Sequence, residues 1–446
     1  MNDLPAGWCE CKLGDYIFLK NGFAFSSTSY VEPKINSVPV IRISDINGKI
    51  ASDTKACHVL KDIVVTGFEV VKGDLLIAMS GATTGKIGAY IGKTPAYQNQ
   101  RVGNIKLINN ECGHSVYRNY LIASLTSDIL KAAYGGAQPN ISGSTIEEIS
   151  IQLAPLNEQK RIADKLDAVL AKVDACRDRL DRIPVILKRF RQAVLSAAIL
   201  GKLSIEWRSG RLTEEWSSCT LKDACLSITD GDHQAPPQIE TGIPFITISA
   251  INDGKLRLEK ASRFVPESYF DNLKEDRKPQ MGDILFSVTG SICIPAFVDV
   301  DLPFTFQRHI AILRPNKTKI SSGYLYLLLG SDSIREQGLK SATGTAQLTI
   351  PLTALRGFSL NLPPIDEQTE IVRRVESLFA YADRLEARYN TAHAQVKKLT
   401  PALLAKAFRG ELVPQDPNDE PASELLARIT AATSDKPHKK IKNKPS

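Results

Sequence analysis

The passage LAPLNEQKRIADKLDAVLAKVD, Leu153 to Asp174, returns 209 positions later (153 to 362) as LPPIDEQTEIVRRVESLFAYAD, Leu362 to Asp383. A Pro-x-x-Glu-Gln opening that leads into a helical pattern is too particular to recur by chance. A repeat on this scale constrains the architecture before any local propensity is weighed. The match continues downstream, with Leu187-Lys188 against Val396-Lys397, Ala193-Val194-Leu195 against Ala402-Leu403-Leu404, and Gly201-Lys202-Leu203 against Gly410-Glu411-Leu412. Upstream it is thinner but ordered. Trp8 and Leu13-Gly14-Asp15 align with Trp216 and Leu221-Lys222-Asp223, Val40 to Ser44 with Phe245 to Ser249, and Gly73 to Leu76 with Gly282 to Leu285. Gln100-Arg101 and Ala137-Gln138 align with Gln307-Arg308 and Ala346-Gln347. The chain is a tandem duplication in which a variable block and a helical block each occur twice.

In the helical blocks, apolar or small residues fall at Ile162, Leu166, Val169, Val173, Cys176, Leu180, Ile183, Leu187, Phe190, Val194 and Ala197. The second copy has Ile371, Val375, Leu378, Ala382, Leu385, Tyr389, Ala392, Val396, Leu399 and Leu403. Alternating steps of four and three are the heptad period of a helix seam. The simplest expectation is that the two stripes bury each other as a long helix pair, whose seam holds Ile162, Leu166, Val169, Val173, Leu180, Ile371, Val375, Leu378 and Leu385. Pro184 and Pro401 fall inside the patterns, where proline removes a backbone bond, so each block is expected to break or kink there. Pro155 and Pro364 mark the helix starts. The variable blocks, about 1–150 and 215–360, carry short β-prone runs such as Val38–Ile43, Asp74–Met79, Phe245–Ser249 and Asp283–Ser287 between Gly, Asn and Ser clusters. Each reads as a strand-rich mixed domain.

With 446 residues, 43% hydrophobic and 24% charged, the chain has the composition of an ordinary globular protein. No run reaches the ~18 apolar residues of a membrane span, and MNDLPAGWCECKLGD is not a secretory leader, so the cytoplasm is the expected compartment. The eight cysteines lack metal spacing and read as small apolar residues in a reducing setting. A net charge of +7 permits nucleic-acid contact without demanding it, and part of it sits in the basic stretch Lys436–Lys444.

Catalytic motifs are weak. Ser80-Gly-Ala-Thr-Thr-Gly-Lys-Ile87 approaches a phosphate-binding loop, but three residues separate Gly81 from Gly85, Ile87 replaces the hydroxyl, and the second copy, Thr289-Gly-Ser-Ile292, has no lysine. A glycine turn presenting Thr83, Thr84 and Lys86 to a polyanion fits better. Leu362-Pro-Pro-Ile365 lacks the flanks of an amino-methyltransferase motif. The six histidines are isolated, and Asp230-Gly-Asp232-His233 is first of all a turn signal. Neither an enzyme nor a metal site emerges.

The block order, together with Pro155-Leu-Asn-Glu-Gln159, Pro364-Ile-Asp-Glu-Gln368, Leu187-Lys-Arg-Phe-Arg-Gln-Ala-Val194 and Leu404-Ala-Lys-Ala-Phe-Arg-Gly-Glu-Leu412, resembles the specificity (S) subunit of type I restriction–modification enzymes, most of all the enterobacterial type IA group. The resemblance covers essentially the whole chain. It implies an α+β fold with two strand-rich target-recognition domains separated by two long-helix, antiparallel coiled-coil-like regions in a pseudo-twofold duplication. The expected division is 1–152 and 206–361 for the recognition domains, 153–205 and 362–412 for the helical spacers, and 413–446 for a basic, partly disordered tail that is dispensable apart from a short helix at 422–431. The pseudo-twofold further requires Leu4 and Leu412 to lie together.

The resemblance implies a non-catalytic subunit that reads a bipartite site on double-stranded DNA. Its partners would be two methyltransferase subunits, which methylate adenine N6, and two ATP-driven motor–nuclease subunits. S-adenosylmethionine, ATP and Mg2+ would reside on those partners, with no cofactor on this chain. Groove and phosphate chemistry favours Arg, Lys, Asn, Gln, Ser and Thr. The expected DNA-contacting residues are Arg42, Thr83, Thr84, Lys86, Arg101, Gln138 and Asn140 in the first domain, and Thr247, Thr289, Ser291, Arg308, Gln347 and Thr349 in the second. A methylation-only system and a duplicated protein-binding scaffold are the alternatives.

Overall fold

The computed structural model describes residues 4–133, 141–211, 214–231, 236–345 and 347–434. Its described residues divide into two compact units, Met1–Arg179 with Ala392–Ser446, and Leu180–Thr391. Each unit holds one strand-rich domain, here called a reader, and helical segments drawn from both repeats. No helix of the described residues is long and apolar enough to cross a membrane.

In the first reader one five-stranded sheet runs in the order Tyr30–Val31, Cys57–Leu60, Ser37–Ile41, Ala96–Gln98 and Glu69–Val70. The other runs Ile17–Asn21, Val102–Leu107, Leu75–Ala78, Ile87–Tyr90 and Ile50–Ala51. The second reader repeats this in reduced form. Cys225–Asp230, Ile310–Pro315, Ile284–Ser287 and Pro295–Phe297 form four strands, and Arg263–Val265, Ile243–Ile246 and Thr305–Phe306 form three. The expected strands at 38–43, 74–79, 245–249 and 283–287 are all present within a few residues. Leu75–Ala78 and Ile284–Ser287 are buried on both faces, which is why they read as unbroken apolar runs rather than alternating ones.

Each reader is closed by its own termini. Cys9–Lys12 pairs antiparallel with Ser150–Leu153, and Ser217–Thr220 with Ser359–Leu362. The chain then enters a helix directly, Leu156–Leu180 in the first repeat and Ile365–Ala407 in the second. Pro155 and Pro364 precede these helices and their carbonyls accept the first helical bonds, from the Gln159 and Gln368 amides at 2.8 and 2.9 Å. Their missing N–H groups would have had no partner at a helix start.

The Glu-Gln pair of the repeated motif is the joint between reader and helix. Glu158, Gln159, Glu367 and Gln368 are all fully buried. Glu158 accepts from Trp8 Nε1 at 3.0 Å and from Gln415 Nε2 at 3.2 Å, and Glu367 accepts from Trp216 Nε1 at 3.1 Å and Ser204 Oγ at 2.6 Å. Gln159 accepts from the Tyr16 hydroxyl at 2.8 Å and donates to Ala154 O at 2.9 Å. Gln368 accepts from the Ser321 amide at 2.8 Å and donates to Pro363 O at 2.9 Å. Buried polar groups persist only when satisfied, and each member of this pair meets several partners from a distant part of the chain. Burial pushes the Glu158 carboxyl up, and the Trp8 and Gln415 donors oppose that shift.

The two prolines inside the helical blocks behave differently. The first block breaks, and Ile183–Ile199 starts afresh with Pro184 in its first turn, where the absent N–H costs nothing. The second block runs for 43 residues through Pro401, so the expected break is absent there. At 1.5 Å per residue that helix is about 65 Å long.

The two stripes share cores in antiparallel order, the start of each with the end of the other. Ile162 and Leu166 lie in the first reader's core with Leu404 and Ala407, and Ile371 and Val375 lie in the second reader's core with Val194 and Ala198. Leu378 packs at the edge of that second core. Val173 is buried, and Val169, Leu180 and Leu385 are half-buried. This is the antiparallel order of the expected fold, and it sets Ile162 and Ile371 in separate cores. In the second unit Arg191 pairs with Asp383 at 2.6 Å and Glu386 at 2.8 Å, and Leu203 O accepts from Arg374.

Both repeats end their helical block on a left-handed glycine, Gly201 at φ +66° and Gly410 at φ +73°. Side chains cannot be added there. A Cβ on Gly201 would come within 2.9 Å of Trp216, and one on Gly410 within 2.5 Å of Pro5. The stretch following Leu4 and the stretch preceding Leu412 therefore meet, as the pseudo-twofold requires.

Beyond Leu412 the helix expected at 422–431 is present, while the segment leading to it, expected to be dispensable, is bonded to the first unit through Gln415 and Asp419. Ala422–Ser434 is a helix whose Ala422, Leu425 and Ile429 are buried in the first reader's core, and Asp419 pairs with Arg161 at 2.6 Å. It packs as part of the unit, and the expected disorder of 435–446 lies outside the described residues. A circular permutant should accordingly be joined beyond Ser434 and opened at exposed Gly210, which has nothing within 4 Å of its Cβ position. We expect it to keep the parent's circular dichroism and melting temperature within a few degrees. A join made at Leu412 should not.

Candidate nucleic-acid interface

In the first reader three chain segments converge on the backbone of Met79. Its N–H donates to Arg101 O at 3.0 Å, and its carbonyl accepts from the Ile141 amide at 2.8 Å. Alongside, the Asn99 amide donates to Ile41 O at 3.0 Å, which sets Arg42 next to the turn that carries Arg101. Thr83 Oγ1 donates to Ile43 O at 3.4 Å and Thr84 Oγ1 to Gly81 O at 2.6 Å, so both threonines brace the turn. Lys86 and Arg101 are exposed and make no ion pair among the described residues. Arg42 lies 3.9 Å from Asp45, whose carboxyl burial pushes up against the pull of the Arg42 backbone amide and guanidinium. Five of the seven expected contacts thus share one surface. Gln138 and Asn140 lie outside the described residues.

The Gly81–Lys86 turn is not a phosphate-binding loop. It joins Leu75–Ala78 to the antiparallel strand Ile87–Tyr90, with no helix to follow. A phosphate loop needs that helix, whose free N–H groups supply the anion site. Gly81 and Gly85 serve the hairpin instead, at φ +83° and +79°. In the second reader Cys293 occupies the place of Gly85 at φ +65°, a conformation rare for a residue with a side chain.

The second reader builds the same junction on Val288. Its N–H donates to His309 O at 2.9 Å, and its carbonyl accepts from the Ile350 amide at 2.8 Å. The Gln307 amide donates to Ile246 O at 3.1 Å, beside Thr247, whose hydroxyl lies 2.9 Å from that of Ser249. A recess of about 620 Å³ opens here, lined by Asp230, Thr289, Arg308, His309, Gln347 and Thr349 among others. Thr349 Oγ1 donates to Thr289 Oγ1 at 3.3 Å, and Asp230 pairs with Arg277 at 3.8 Å. Arg308 and Gln347 are exposed, and Ser291 is exposed on the adjoining turn. The structure therefore gathers Thr289, Arg308, Gln347 and Thr349 around one recess and leaves Thr247 and Ser291 outside its lining.

One alignment shifts. Identity aligns Gln100-Arg101 with Gln307-Arg308, but the hydrogen bonds register Asn99 with Gln307 and Arg101 with His309. Counting back from the strand starts Val102 and Ile310 recovers this register. His309 was missed because the repeated Gln-Arg dipeptide masked a one-residue slip.

Residues 5–184 and 213–392 each match the type I restriction modification DNA specificity domain. The chain is 32% identical to the EcoBI specificity subunit of Escherichia coli, over 98% of this chain and 94% of that one. It is likewise 32% identical to the EcoKI specificity subunit of E. coli K12, over 99% of each. The EcoEI specificity subunit is 58% identical, over 54% of each chain. Among solved structures, a chain from the type I R-M system superposes with a TM-score of 0.69, at 20% identity over 92% of this chain and all of that one. The HsdS subunit of Thermoanaerobacter tengcongensis gives 0.60, at 20% identity over 92% and 98%. Two family domains in tandem, and full-length likeness to specificity subunits, establish that the chain belongs to the type I restriction–modification specificity subunits, which recognise DNA sequence.

Proposed function

We propose that each reader recognises one half of a bipartite target on double-stranded DNA, through the surface around Met79 in the first and the recess beside Val288 in the second. The observation that carries this is the recurrence of one three-segment junction in both readers, each time among polar and basic side chains, with Lys86 and Arg101 exposed in the first and Arg308 and Gln347 in the second. Arg42, Thr83, Thr84, Lys86 and Arg101 act in the first half-site, with Gln138 and Asn140. Thr247, Thr289, Ser291, Arg308, Gln347 and Thr349 act in the second. In this reading 1–152 and 206–361 are the recognition domains, and 153–205 and 362–412 are the spacers that set half-site separation.

The chain supplies recognition, and the chemistry belongs to its partners. Two methyltransferase subunits dock on the helical regions, one per repeat, because the same surface occurs twice. Two motor–nuclease subunits join through them, and S-adenosylmethionine, ATP and Mg2+ are bound there. Mapping methylated adenines in cells that carry the parent or an Arg101→Ala, Lys86→Ala double variant tests the assignment. Only one half of the split motif should lose definition. Changes at both halves would sink the independent-reader reading.

A further inference from the structure

Resting on the DNA reading above, we infer that His309 is a base-specificity residue of the second reader, the structural counterpart of Arg101 in the first, and that it selects an adenine edge. The two residues occupy one backbone position. Each gives its carbonyl to the hub amide, Val288 at 2.9 Å or Met79 at 3.0 Å, and each directly precedes an interior strand of its sheet. What they project differs in chemistry. Arg101 offers a fixed charge and donors only, which complement the two acceptors of guanine, O6 and N7. A neutral imidazole offers one donor and one acceptor.

Burial and the neighbouring Arg308 charge both lower the His309 pKa from the ordinary histidine value, which favours the uncharged ring. It is half-buried, lines the recess, and makes no side-chain hydrogen bond among the described residues. An uncharged ring, in a recess that also holds the Asp230 carboxylate, is a poor grip for phosphate. The His309 ring nitrogens diverge, so one of them meets a base edge at a time; as an acceptor it takes a bond from the adenine N6 amino group, which lies beside the N7 acceptor, and a guanidinium cannot. Gln347, on the same recess, has the matching pair of groups. Arg308, exposed one residue away, is the cation suited to the backbone. The recess thus divides labour between neighbours, with Arg308 for phosphate and His309 for the base.

The test uses the full chain in complex with its methyltransferase partner and reads the methylation consensus together with DNA affinity against salt. His309→Arg should shift one position of one half-site from adenine toward guanine and leave the other half-site untouched. His309→Ala should relax that position, with a loss of discrimination of roughly ten- to hundredfold. His309→Gln, which keeps a donor and an acceptor, should retain adenine. Arg308→Ala should weaken binding across all sequences and lower the salt dependence with an unchanged consensus. A His309→Arg or His309→Ala protein that melts like the parent and keeps its consensus overturns the proposal. Should either fail to fold, His309→Gln decides, because a consensus without adenine at the position it governs also overturns it. A parent complex with neither a bipartite consensus nor salt-dependent DNA binding sinks the DNA reading itself, which is a different failure.

Discussion

Truncation after Leu412 is expected to destabilise the first unit by about 3–6 kcal/mol, the loss from exposing two fully buried aliphatic side chains at roughly 1.5–3 kcal/mol each. Those side chains are Leu425 and Ile429, at 0% and 2% exposure in the first reader's core. The cut also removes the Gln415 donor from the buried Glu158 carboxylate and Asp419 from Arg161. Folded domains have only about 5–15 kcal/mol to lose, so much of the unit's stability rests on this segment. Hydrogen exchange over Leu156–Leu180 and the thermal midpoint should both report the change. Truncation after Ser434 should leave both unchanged. A Leu412-truncated chain that keeps the parent's midpoint and protection would show that the Ala422–Ser434 helix contributes nothing.

The second large effect is expected from Glu367→Ala. This carboxylate is fully buried and accepts from Trp216 Nε1 and Ser204 Oγ, with the Arg208 guanidinium 3.5 Å away. Its removal strands these donors, at about 1–3 kcal/mol for each one left unsatisfied. Ser204 is completely buried, whereas Trp216 and Arg208 are partly exposed and find water more easily, which puts the total near 2–4 kcal/mol. Glu367→Gln should lose less, since its amide oxygen still accepts from one donor. Urea unfolding checks this through the midpoint at constant slope. Equal midpoints for Glu367→Ala and the parent would mean that the joint between reader and helix does not depend on this carboxylate.

Much of the architecture was legible before any coordinates. Identity between the repeats locates both helical blocks and both readers, because copies of one sequence fold alike. The β-prone runs fall on the central strands since burial on both faces makes them plainly apolar. Prolines 155 and 364 mark the helix starts through their own chemistry. The same Glu-Gln dipeptides were conspicuous as a repeat, yet nothing local tells that they are buried. That depends on Trp8 and Trp216, some 150 residues away in each copy.

Three features were beyond local reading, and each for the same reason. The stripes through Ile162 and Ile371 have a heptad period whether they face each other or their own readers, because periodicity identifies an apolar face without identifying what covers it. The helix at 422–431 is expected from its sequence, but what it packs on is not, until Leu425 and Ile429 are seen inside a core assembled from residues 8 to 166 and 404 to 407. His309 became the counterpart of Arg101 only through backbone hydrogen bonds that a dipeptide match had hidden by one residue. Sequence alone determined the duplication, the placement of strands and helices, and the family, all of which reside in local pattern and its recurrence. Tertiary structure decided which faces meet and which side chains share a surface, because those contacts join residues far apart in the chain, where no local preference reaches.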